Sequence, residues 1–191
     1  MPSESYLGWT TTRKTELDQI ADAHVAVGGI ERGRRYATQQ INHAYAVLLA
    51  SQFQGYCRDL HTECVDHLLT AAIATQLKPI LRIALTGARA LDRGNAQPEA
   101  IGKDFHRLGV RIWDEAIALN ATNSKRRILL ENLNQWRNAI AHQDFSSTKL
   151  GSSALQIVVV RKWRVARDRL ALAFEKVMYD HLSALTGTSP W

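Results

Sequence analysis

Only two cysteines occur in the 191 residues, Cys57 and Cys64. A small secreted scaffold stapled by disulfides needs more. Seven residues apart on one helix, the two would be separated by ~10 Å of rise, too far for a bridge. Reduced thiols and a cytoplasmic location are the expectation. Prolines number four, Pro2, Pro79, Pro98 and Pro190, and two of them sit at the chain ends. Long stretches therefore have nothing to stop a helix. The longest apolar runs, such as Ala44 to Ala50, fall far short of the ~20 residues that span a bilayer. The opening MPSESYLGWTTTRK lacks the charged-then-apolar pattern of a signal peptide, and no membrane anchor is expected. Internal repeats and low-complexity tracts are also missing.

What is present suits a packed domain. Hydrophobic residues make up 46% and charged residues 22%, enough for a core and too apolar for wholesale disorder. The net charge is +6 and the pI about 9.6. That excess permits a polyanionic partner such as nucleic acid without demanding one.

Periodicity predicts helices throughout. Residues 1–12 read as a flexible N-terminal arm, 13–186 as a single all-helical domain and 187–191 as a tail. A short helix is expected from Lys14 to Val27, ended by Gly28-Gly29. A long one should run from Arg34 to Leu77, because Ala46, Ala50, Phe53, Cys57, Leu60, Cys64, Leu68 and Ala71 follow steps of three and four. Pro79 fits the first turn of a helix reaching Leu91, and Asp92 to Gly102 reads as a loop. Further helices are expected from Asp104 to Leu119, after the capping string Asn120 to Ser124, and from Ala154 to Leu185. The middle one carries Leu129, Leu133, Trp136 and Ile140 on one face. Leu155 to Val160 is β-branched but does not alternate, so helix is preferred over strand. The fold class is all-α, an up-and-down bundle built on one long helical hairpin pair with extra flanking helices.

The most informative segment is Gln135-Trp136-Arg137-Asn138-Ala139-Ile140-Ala141-His142-Gln143. An Arg/His pair at this spacing is expected roughly 0.6 times by chance in such a composition, and only roughly 0.02 times once Asn must follow the arginine. The fuller motif therefore carries the weight. It resembles the signature of the HEPN superfamily, and its wording Arg-Asn-Ala-Ile-Ala-His is similar to that of stand-alone bacterial HEPN proteins, including the RiboL-PSP-HEPN type. The motif covers six residues; a looser resemblance in helix order covers Arg34 to His181. The resemblance implies an HEPN-like bundle, a metal-independent endoribonuclease with no cofactor, a homodimer, RNA as substrate, and a role as a toxin or defence effector with a cognate antitoxin or neighbouring defence protein.

The residue chemistry agrees with that implication. RNA carries its own nucleophile, the 2′-hydroxyl. An imidazole at His142 moves protons near neutral pH, the guanidinium of Arg137 pairs with phosphate oxygens, and Asn138 can fix the imidazole or bond a phosphate oxygen. On an ideal helix, five residues turn the direction by ~140°, so Arg137 and His142 point apart. Either the helix ends before His142, or two copies bring their motifs together across a two-fold axis, the device the resemblance implies. On the long helix, Gln54 and Asp59 are the candidate supporting polar residues; Glu63 shares the face of Asp59.

Plainer readings stand beside these. Cations in a last helical turn complement its negative end, and a bundle of this kind can be a non-catalytic RNA- or nucleotide-binding or antitoxin-type module. Cys57, His61 and Cys64 share one helical face, with His67 at its edge, and would suit part of a zinc site; they also coincide with the apolar stripe, so core is the preferred reading. Basic clusters at Arg32/Arg34/Arg35, Lys125/Arg126/Arg127 and Arg161/Lys162/Arg164/Arg167/Arg169 are either solvated faces or RNA-binding groups, with Lys125, Arg126, Arg127, Arg161 and Arg164 the leading candidates. Trp113, Trp136, Trp163, Tyr36 and Tyr45 are possible base-stacking platforms, with core preferred for Trp136 and Trp163.

Overall fold

A computed structural model of the chain describes residues 1–28, 36–146, 150 and 154–191. The described residues are helical, without strands. Helix α1 (Glu4–Gly8) passes through a π-helical turn, Trp9–Arg13, into α2 (Lys14–Ala26). The long α3 (Tyr36–Ala72) follows. After it come α4 (Lys78–Thr86), α5 (Ala90–Arg93), α6 (Pro98–His106), α7 (Ile112–Leu119), α8 (Thr122–His142) and α9 (Ile157–Thr186).

The core lies where α3, α8 and α9 meet. Ala46, Ala50, Phe53, Cys57, Leu60 and Cys64 are all buried along α3, as their spacing predicts. The stripe leaves the core in its last turns: Leu68 is half-buried, Ala71 is exposed, and Leu69 takes the inner position. Helices α8 and α9 run antiparallel. The Trp136 and Trp163 rings stand 6.4 Å apart at one level, and Arg167 donates Nη2–H to the Arg126 carbonyl (2.8 Å) further along. Leu155 to Val160 joins the start of α9 and does not form a strand; buried Leu155 accepts from Asn42 Nδ2 through its carbonyl (2.8 Å).

Several boundaries differ from expectation. The long helix, expected to reach Leu77, ends at Ala72, and Thr75–Leu77 form a separate 3-10 turn before α4. Residues 1–12, read as a flexible arm, are helical and packed. Ser3 caps α1 by accepting from the Tyr6 amide and donates its own amide and hydroxyl to Glu175 (2.7 and 2.6 Å). Ser5 does the same with Glu63. Trp9 is 3% exposed, sits 5.7 Å from both Phe53 and Tyr56 and donates its indole N–H to Asp168. The expected helix from Pro79 to Leu91 stops at Thr86, and Arg89 is buried on Asp92, Thr62 and the Arg58 carbonyl. The expected loop Asp92 to Gly102 contains α6, with Pro98 in its first turn. The expected helix Asp104 to Leu119 is two helices, because Gly109 adopts φ +80°, a left-handed conformation that costs glycine little.

Candidate functional site

Helix α8 carries the motif residues. It continues through His142 and turns only at Gln143, which adopts φ 53°. An early helix end is thereby excluded as the way to bring Arg137 and His142 together. Arg137 stands four and seven residues after Leu133 and Leu130, both buried, so it extends the inward stripe and is partly buried at the end of the bundle. His142 is exposed on another side of the helix. Asn138 lies between them in angle, ~100° from Arg137 and ~40° from His142.

Asn138 is bonded to Arg137 and shares a cleft with His142. Its Oδ1 accepts from Asn95 Nδ2 (2.5 Å) and from Arg137 Nη1 (3.3 Å). With both lone pairs of that oxygen engaged, the Nδ2 hydrogens are what the side chain can offer to an incoming group. Asn138 and His142 line a cleft of about 300 Å³ together with Gln135, Ala139, Asp144 and Leu150. Asp144 is exposed; hydrogen bonds from the Ser146 hydroxyl and amide hold its carboxyl below the usual range, and His142 nearby acts in the same direction. The cleft thus has an imidazole, an ionised carboxylate and amide donors at one end of α8. Trp136, Phe145 and His43 pack together in this region, the His43 ring stacking on Phe145 at 5.5 Å.

The supporting residues expected on α3 face elsewhere. Asp59 is ion-paired with Arg13 (2.5 Å), on the side covered by the N-terminal helices. Gln54 donates to the Leu91 carbonyl (2.7 Å). That bond fixes α5, and Asn95 follows four residues later on its way to Asn138, so Gln54 acts at one remove. Asn95, Gln135 and Asp144 belong to the site and were missed from sequence. Asp144 had a signal, a carboxylate two residues after the histidine; Asn95 had none, because its contact spans 43 residues.

The basic residues divide. Arg164 is partly buried between Tyr45 Oη and Asp18. Arg127 lies over the Trp113 ring at 5.3 Å and reaches Glu99. Both are occupied within the fold. Arg167 is buried over Phe53 at 5.3 Å, and burial pushes its guanidinium down to about 9. Lys125 and Arg161 are exposed and Arg126 is partly so; Arg32, Arg34 and Arg35 lie outside the described residues. Trp113, Trp136, Trp163 and Tyr45 are buried in the core and offer no stacking surface; the Tyr36 side chain is outside the described set. Cys57, His61 and Cys64 are fully buried. Among the described residues, no three His, Cys, Asp or Glu side chains are grouped to hold a metal, and no helix is long and apolar enough to cross a membrane.

No family model, curated protein or solved structure matches this chain.

Proposed function

We propose that this chain is a metal-independent endoribonuclease of the HEPN type, acting as a homodimer whose two α8 ends line one cleft. The observation that carries the reading is the constellation on α8: an exposed imidazole, a cleft lined by amide donors, and a guanidinium bonded to the same asparagine. The Arg137 and His142 side chains diverge within one copy, which is why two copies are invoked. The substrate 2′-hydroxyl loses its proton to an imidazole as its oxygen forms a bond to phosphorus. The bond from phosphorus to the 5′-oxygen breaks, and that oxygen takes up a proton. The products are a 2′,3′-cyclic phosphate and a 5′-hydroxyl. His142 is the proton-moving group. Arg137 and the Asn138 amide offset the charge that builds on the phosphoryl oxygens, so the step calls for no metal. Arg161 is exposed near the start of α9, toward the end of the bundle that carries His142, and in this reading it meets the strand's phosphates. By the same resemblance, the biological role is that of a cytoplasmic toxin or anti-phage effector with an antitoxin or neighbouring defence protein as partner.

The test is cleavage of mixed RNA by purified protein in excess EDTA. The expected result is fragments ending in 2′,3′-cyclic phosphate, with at least a ~100-fold loss in His142→Ala, the scale of one general acid–base group, and a comparable loss in Arg137→Ala. Cleavage that disappears with chelator, or survives both substitutions, removes this mechanism.

A second reading has one observation in its favour. Arg137 continues the buried Leu130/Leu133 stripe and is bonded to Asn138, as a purely structural arginine would be. A non-catalytic RNA- or nucleotide-binding or antitoxin-type module would show binding without turnover.

A further inference from the structure

Helix α9 carries an unusual outer stripe. Val158, Lys162, Val165, Arg169, Leu172 and Lys176 succeed one another at steps of four, three, four, three and four. At 100° per residue they stay within ~80° of arc. All six are exposed, and the three aliphatic members are 62%, 59% and 46% accessible. Apolar and cationic side chains thus alternate along one face over ~27 Å of helix. Across from it on α8 stands Ile128, 55% exposed. The two helices flank an open groove of about 650 Å³ whose apolar lining is Ile128, Leu129, Val165 and Ala166, with Lys125, Arg126, Lys162 and Arg169 also lining it. No carboxylate lines the groove.

This combination selects among occupants. A nucleic-acid strand would be drawn to the cations, but bases stack on aromatic rings, and the groove has none. A second copy of the same face would bring like charges together across a two-fold axis, which is unfavourable. A flat anionic bilayer meets a convex surface better than a concave one. A rod with an apolar seam and acidic flanks satisfies both the apolar and the cationic lining.

We propose that the α8–α9 groove docks an acidic amphipathic helix of a partner protein, about five turns long. Its aliphatic residues at i, i+3/i+4 spacing would cover Ile128, Val165 and Leu172, and its flanking Glu or Asp side chains would pair with Lys125, Lys162 and Arg169. This assigns Lys125 and Arg126 to protein recognition and not to RNA. The apolar anchor on α8, Ile128, is ~21 Å along that helix from His142, so docking does not depend on the ribonuclease reading.

The test uses the full chain and a fluorescent synthetic helical peptide of about five turns, with Leu on one seam and Glu along both flanks. Anisotropy should report micromolar binding. A composition-matched peptide with its leucines scattered should bind at least ~10-fold more weakly. Val165→Asp and Arg169→Glu, on exposed positions and checked for unchanged helicity by circular dichroism, should each weaken binding at least ~10-fold. Lysines in the peptide flank opposite Arg169→Glu should restore it. His142→Ala should bind as wild type does, which separates this result from any failure of RNA cleavage. Equal binding of the scattered peptide, or no binding, overturns the proposal. So does Val165-dependent capture of the protein by phosphatidylserine vesicles or by an RNA oligonucleotide in place of the peptide. A shift from dimer to monomer in Val165→Asp would assign the face to a second copy instead.

Discussion

His61 shows how strongly one buried side chain is constrained. It sits on α3 with no exposure, its Nε2–H donating to the Asp104 carbonyl (3.0 Å) and its Nδ1 facing Arg89 Nη1 (3.4 Å). Burial, reinforced by the Arg89 charge, pushes the imidazole down to about 4. The folded state therefore holds His61 neutral, whereas an unfolded histidine takes up a proton near ~6.5. The stabilisation is fully present above that value and is lost as pH falls toward the folded value. The interval corresponds to about 3 kcal/mol. Urea unfolding between pH 7 and pH 4.5 should show a loss of that order, and His61→Asn should flatten that part of the profile even though its stability at pH 7 is lower. An equally steep profile in the variant would show that carboxylates, not His61, set the acid limit. The same burial that makes His61 an acid-sensitive core residue removes it from metal chemistry. Its neighbours Cys57 and Cys64 have thiols raised by burial and act as small apolar side chains.

Among elements, the N-terminal helices are the least legible from sequence. Their attachment is largely polar: the Ser3 and Ser5 amides and hydroxyls meet Glu175 and Glu63, the Trp9 indole meets Asp168, and Arg13 meets Asp59. Those partners lie 46 to 172 residues away along the chain, so apolar periodicity could not reveal them. Trp9 is the apolar anchor among them, and Trp9→Ala should cost about 3–5 kcal/mol in chemical unfolding. A loss below ~1 kcal/mol would mean that residues 1–12 are a loose arm after all. The long α3 was readable because one stripe of eight positions specifies it; it falls short at its C-terminal end, where Leu68 is half-buried, Ala71 is exposed and the helix stops at Ala72, five residues before the expected Leu77. The break at Gly109 was missed because the residues around it, Leu108 and Val110, are buried and sustain an apolar pattern across the turn. The end of α8 is built with a non-glycine residue, Gln143, in left-handed conformation. Its side-chain Nε2 donates to the Ile140 carbonyl (2.7 Å), offsetting part of that cost immediately beside His142.

At the scale of the whole molecule, the three long helices divide their surfaces. The inner faces make the core, the C-terminal end of α8 carries the motif, and the outer α8–α9 face carries the alternating apolar and cationic groove. The motif was legible as a string of residues. Its geometry was legible only in part: the ~140° divergence of Arg137 and His142 follows from helix pitch, but Arg137's continuation of the buried stripe and the long-range Asn95 contact needed the tertiary structure. The divergence makes the central claim one about two chains, in which a guanidinium from one copy and an imidazole from the other serve the same phosphate. The most direct measurement mixes two defective chains, Arg137→Ala and His142→Ala, under conditions that allow subunit exchange, and follows RNA cleavage. Each should be inert alone. Half of randomly paired dimers then carry one intact cross-subunit pair, so the mixture should recover up to about a quarter of the wild-type rate per chain. A mixture as inert as its components, beside an active wild type, would contradict a site shared between two copies.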